Sequence, residues 1–192
     1  MIPQINESGV LPPFLPNCLP TMRNAVAPYQ ATLEEFIVKY ATTNARKNLL
    51  KGYLEYRRDL KDKGISVGFQ WIDGSFTENV EVLRKRPPSD IDIITFFLRP
   101  EEYIENDKWE QYVKDNMQLF NQNYLKTSYH CHSFYVDMNI HPIFVVKNVT
   151  YLYGLFSHQR ETFIWKGMLE LDLAESETGF DDLLVLEEDH DK

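Results

Sequence analysis

The chain has 192 residues, 43% of them apolar and 14% aromatic, enough to bury one core of ordinary size and unlike a disordered chain. Two cysteines, Cys18 and Cys131, are too few for a disulfide framework and fit a reducing compartment. The net charge of −9 is local: residues 168–192 hold ten acids and one lysine, and the other 167 residues balance 19 acids against 19 bases, so duplex nucleic acid is not an expected partner.

The opening "MIPQINESGV" has neither the basic nor the apolar region of a leader. No apolar run approaches the roughly 18 residues of a membrane span, so a cytoplasmic location without membrane partners is expected. Residues 1–30 carry six of the ten prolines and predict an extended arm laid over the domain. "VLPPFLP" has the composition of an SH3 ligand, but packing of the arm is the simpler expectation. Thr32 and Glu35 form a capping box ahead of a helix with Leu33, Phe36, Ile37 and Tyr40 on one face. A second helix follows over residues 44–63, with Leu49, Leu50, Tyr53, Leu54 and Leu60 as its stripe and Gly64 as its stop. Residues 65–73 read as a strand ending at Gly74-Ser75, and 90–98 as a second strand. Pro100 opens a helical stretch in two pieces. Residues 133–146 read as a third strand, "VTYLYGLF" as a short helix and 166–173 as a final strand. The acidic end, 174–192, is expected to be a solvated tail, or else a segment whose "FDDLLVL" docks on the domain or a protein partner. The class is α+β, a small mixed sheet with flanking helices spanning residues 31–173.

The chemistry is concentrated in "WIDGSFTENVEVLRKRPPSDIDIITFF". With a period of two, Asp90 and Asp92 leave their strand on one side, where two carboxylates repel and resist desolvation unless a divalent cation joins them. In "SFYVDMNI", Phe134, Val136, Met138 and Ile140 form an apolar face, and Asp137 projects from the other, on the side expected for Asp90 and Asp92. Three such carboxylates suit two metal ions and in-line displacement at phosphorus. Gly74 permits close approach of a ligand, and amides of a helix opening at 75–80, with the Ser75 hydroxyl, would meet phosphate. Arg84, Lys85 and Arg86 lie between the two motifs. Arg160 and Lys166 could neutralise a triphosphate, or Arg160 could simply pair with Glu161. His130 and His132 would share a strand face, but without a third ligand or a basic Glu they, like His141, are expected to be ordinary polar positions. Cys131 is expected to be buried and inert.

Gly74-Ser75, Asp90-Ile91-Asp92 and a lone Asp137 on a later strand resemble the signature of the DNA polymerase beta-type nucleotidyltransferase superfamily. "INESGVLPPFLP", "WIDGSFTENVEVLRKRPPSDIDI" and "YGLFSHQRETFIWKGMLELDL" resemble, more narrowly, small bacterial nucleotidyltransferase-like proteins, over roughly residues 3–173. The resemblance implies a mixed-sheet nucleotidyltransferase core, two Mg²⁺ ions with Mn²⁺ as a substitute, and an NTP donor such as ATP. It implies that Asp90, Asp92 and Asp137 bind metal and carry catalysis, Asp137 helping to deprotonate the attacking hydroxyl. Gly74 and Ser75 would hold the triphosphate. Relatives of this kind often belong to toxin–antitoxin or phage-defence systems, some modifying protein or tRNA. The competing expectation is an inactive module of the same fold that binds a partner as an antitoxin does. A metal-dependent phosphohydrolase is a third.

Overall fold

The computed structural model describes residues 1–186 apart from Pro20 and Glu161. Five strands form one mixed sheet: β1 (Tyr29–Ala31), β2 (Gly68–Asp73), β3 (Ile91–Phe97), β4 (Cys131–Asp137) and β5 (Leu169–Asp172), in the order β1-β5-β2-β3-β4. β2 runs antiparallel to both β3 and β5, while β1 pairs parallel to β5 and β4 parallel to β3. The α+β expectation is met, and the arm contributes more than a covering: it ends in the edge strand β1. Its earlier residues also pack on the domain, with Val10 and Leu11 buried and the Gly167 amide donating to the Leu11 carbonyl.

One face of the sheet is covered by helices. Thr32 caps α1 (Leu33–Tyr40) in the expected box, and Thr43 caps α2 (Asn44–Asp62). Every apolar residue assigned to their stripes is buried, and the main core lies between these helices, α5 (Gln122–Tyr129) and the sheet. α3 (Val80–Arg84) is a single turn following the Gly-Ser segment. The stretch after Pro100 divides further than expected, into a 3-10 turn, α4 (Asn106–Asp115), a second 3-10 turn and α5.

The third strand is shorter than its apolar run suggested. It stops at Asp137, and "PIFVV" belongs to α6 (Pro142–Phe156). Pro142 stands at the first helical turn, where its missing N–H costs nothing, and the His141 side chain accepts from the Ile143 amide. α6 lies on the opposite face of the sheet, where Leu152 and Phe156 pack with Ile94, Phe96 and Val136 in a second, smaller core. No helix among the described residues is long and apolar enough to cross a membrane.

Residues 174–186 are bound to the domain. Buried Arg57 pairs with Glu177 at 2.8 Å and donates to the carbonyls of Asp172, Leu173 and Glu175, Lys61 pairs with Glu177 at 2.6 Å, and Leu184 is buried. The last part of the expected tail, 187–192, lies outside the described residues.

Candidate functional site

Strand register gathers the polar ends of three strands. Asp73 on β2 stands opposite Asp92 on β3, and Asp92 stands opposite His132 on β4. Alternation along each strand puts all three side chains on the α6 face. Asp90, just before β3, joins them, and ligand atoms of Asp90, Asp92 and His132 lie within 4.8 Å of one another. His132 Nδ1 is 3.0 Å from Asp92 Oδ1, and Lys126 of α5 reaches Asp90 at 3.2 Å.

The Gly-Ser turn is fitted against this cluster. Gly74 has φ +79°, and a Cβ there would come within 2.0 Å of Asp92 Oδ2, so the turn requires glycine for both conformation and space. The expected helix opening at 75–80 is instead a 3-10 turn over Gly74–Thr77. Two buried cations hold that turn. Lys166 bridges Asp73 at 3.2 Å and Glu78 at 2.9 Å and donates to the Gly74 carbonyl. Arg46 of α2 donates to the carbonyls of Phe76 and Glu78 and forms a two-pronged pair with Glu81. Burial pushes the Asp73 carboxyl up to about 7 against the pull of Lys166. Burial opposes the charge of Lys166, yet Asp73 and Glu78 hold its pKa above that of an ordinary lysine.

A cavity of about 370 Å³ opens over these groups, a size suited to a small ligand. Asp90, Asp92 and His132 lie on its floor side, Phe134 and Phe156 contribute apolar wall, and Arg84, Arg86 and Arg160 bring positive charge. Arg84 faces Glu78 at 3.7 Å, whereas Arg86 and Arg160 carry no ion pair among the described residues. Beneath the site Cys131 is fully buried, and burial, then the nearby Asp90 and Asp92, push its thiol well up.

The structure thus brings together Gly74, Ser75, Asp90, Asp92, Arg160 and Lys166, all lining one cavity. It does not bring Asp137 to them. Asp137 pairs across β3 with Phe97 at the far end of the strand and points to the α2 face, where Arg99 binds it at 2.7 Å. The error was one of faces: the apolar side of β4, with Phe134 and Val136, is the side that Asp92 shares. His132 takes the place expected of a third carboxylate. Lys166 also differs from expectation, since its ammonium is committed to Asp73, Glu78 and the Gly74 carbonyl. It positions the turn. The alternative expected for Arg160, a pair with Glu161, falls outside the described residues. His130 is the left-handed cap of α5 and His141 caps α6, so neither belongs to the cluster.

Two residues escaped the sequence reading. His132 was visible only as half of a "HCH" pair, and its partner Asp92 became apparent from register. Arg46 looked like one of several cations on a helix; the signal was its position one residue before Lys47 and three before Leu49, on the edge of the buried stripe.

The donor set of two carboxylates and one imidazole fits one divalent cation with positions left for ligand oxygens. Two ions were expected with Asp137 among their ligands, and the cluster found among the described residues, Asp90, Asp92 and His132, would hold one. No curated protein and no solved structure matches the chain. A family of unknown function, DUF6932, matches residues 3–172, and the chain belongs to that family.

Proposed function

We propose that the protein is a metal-dependent nucleotidyltransferase that binds an NTP in the cavity above Asp90, Asp92 and His132. The observation that carries this reading is the close fit of the Gly74 turn against Asp92, which sets the turn beside three side chains able to hold a cation, all lining one cavity. Asp90, Asp92 and His132 would hold the cation, which when bound supplies charge neutralisation at the phosphates. The chain's own part is binding and orientation. Gly74 and Ser75 border the phosphates, Arg84, Arg86 and Arg160 meet the charge of the departing pyrophosphate, and Phe134 and Phe156 offer apolar surface to the rest of the nucleotide. An acceptor hydroxyl attacks the α-phosphorus, the bond to pyrophosphate breaks, and the hydroxyl proton passes to the Asp90/Asp92 pair in place of Asp137.

A second reading, a module that binds nucleotide without transferring it, is supported by the position of Asp137, which leaves two carboxylates where three were expected. Calorimetry with ATP, GTP, CTP and UTP, with and without divalent cation, tests both. Metal-dependent binding of an NTP, lost in Asp90→Asn/Asp92→Asn, is the expected result, and pyrophosphate release then separates transfer from binding. A folded wild-type protein that binds none of the four would refute the proposal.

A further inference from the structure

Resting on the nucleotide reading above, we infer that the cation of this site is a first-row ion that accepts nitrogen, for which Mn²⁺ is the probe, rather than Mg²⁺, and that His132 makes the choice. The cluster contains one imidazole among two carboxylates. Mg²⁺ is a hard ion that takes oxygen almost exclusively, whereas imidazole binds increasingly well along the first-row series from Mn²⁺ onward. An imidazole placed in the ligand shell therefore raises affinity for Mn²⁺ while giving little to Mg²⁺.

The geometry suits direct ligation. His132 Nδ1 and Asp92 Oδ1 are 3.0 Å apart. Two ligand atoms each about 2.1 Å from one octahedral ion and at right angles to each other lie about 3 Å apart, so both fit one ion without movement of the strands. Register fixes the pair, because Asp92 and His132 are direct neighbours on parallel strands. The His132 ring also packs on Phe134, with centroids 4.8 Å apart, which restrains its orientation. Asp90 supplies the third donor from the loop before β3. Its Oδ1 accepts from the Ser89 hydroxyl, and its Oδ2 faces Lys126, a half-exposed side chain able to swing away when a cation arrives.

The test is titration calorimetry of the wild-type protein, His132→Ala and His132→Asp with MnCl₂ and separately with MgCl₂, in the absence of nucleotide. Circular dichroism and thermal unfolding verify that the variants are folded, as a half-buried position near the cavity allows. Wild type is expected to bind Mn²⁺ at least about tenfold more tightly than Mg²⁺. His132→Ala should lose about tenfold or more of the Mn²⁺ affinity and change the Mg²⁺ affinity less than about twofold. His132→Asp should move the preference toward Mg²⁺. Equal affinities for the two ions, or a Mn²⁺ affinity unaltered in His132→Ala, would overturn the inference. A repeat with an NTP present separates the two claims. If the NTP binds with Mg²⁺ and His132→Ala changes nothing, the inference fails and the nucleotide reading stands. If Mn²⁺ binds through His132 but no NTP follows it, the nucleotide reading fails and the metal assignment stands.

Discussion

The two faces of the sheet treat polar groups in opposite ways. On the α2 face, Tyr56 bonds Ser133, Tyr135 and Thr95, Tyr53 bonds Gln70, and Arg57 is surrounded by Glu177 and carbonyl oxygens. Most buried polar side chains there are answered by another, as a stable interior demands, the Tyr40 hydroxyl and the Gln122 carbonyl oxygen being the exceptions. On the α6 face, Asp90, Asp92 and His132 remain partly open to a cavity whose rim carries Arg86 and Arg160. Carboxylates converge there, Asp90 answered by the half-exposed Lys126 and Asp92 by His132, while Arg86 and Arg160 line the same cavity without an ion pair among the described residues. A stability account explains most of the first face. The second makes sense as a place where a ligand completes the charge balance.

This contrast is broken most forcefully by removing charge from the closed face. Arg57→Ala leaves buried Glu177 with Lys61 alone and takes the donor from the carbonyls of Asp172 and Leu173, and is expected to cost about 3–5 kcal/mol in urea unfolding, with nucleotide affinity of the folded fraction intact. A large loss of affinity instead would mean that the faces are not separate. Gly74→Ala comes next. Its Cβ meets Asp92 in a left-handed backbone, so strain of about 1–3 kcal/mol should accompany loss of cation binding. Arg160→Ala is the reciprocal case: stability within about 0.5 kcal/mol of wild type, and NTP affinity lower by about tenfold, or about 1.4 kcal/mol.

The smallest effect concerns pH. Hydrogen bonds from Arg46 hold the Glu81 carboxyl below the usual range even though desolvation acts the other way. A folded-state pKa below the unfolded one gives stability that is complete above the unfolded value and is lost as pH falls through the folded one. Glu81→Gln should therefore lower stability at neutrality and flatten part of the acid limb of the stability curve, so that variant and wild type converge at low pH. An unchanged acid limb would show that the Arg46 contacts to Phe76 and Glu78 carry the anchoring alone.

Much of this was readable from sequence, for reasons tied to particular residues. The stripes of α1 and α2 repeat at helical spacing over several turns, and the cap of α1 is explicit in Thr32 and Glu35. Gly74, Asp90 and Asp92 stand out because a left-handed glycine beside paired acids has few structural uses. The residues after Asn139 were misread because "IHPIFVV" is rich in β-branched and apolar side chains, which suit a buried strand, and only Pro142 hints at a helix start. The misplacement of Asp137 has a deeper cause. Alternation shows which residues of one strand share a face, but not which face of the next strand meets them. That depends on register: Asp92 pairs with His132, and Asp137 lies five residues further along β4 and on its other face. The buried anchors Arg46 and Lys166 are invisible for a related reason, since their acidic partners lie far away in sequence, at Glu81 and at Asp73 and Glu78.

The central claim is that the open face binds a cation at Asp90, Asp92 and His132, and that Asp137 has no part in it. Paramagnetic broadening by Mn²⁺ of the amide signals of ¹⁵N-labelled protein tests this directly, because broadening falls steeply with distance from the ion. Substoichiometric Mn²⁺ should erase the signals of Gly74, Ser75, Asp92 and His132 first and spare those of Asp137, Met138 and Asn139. Early loss at Asp137 and its neighbours, with Asp92 and His132 spared, would contradict the account.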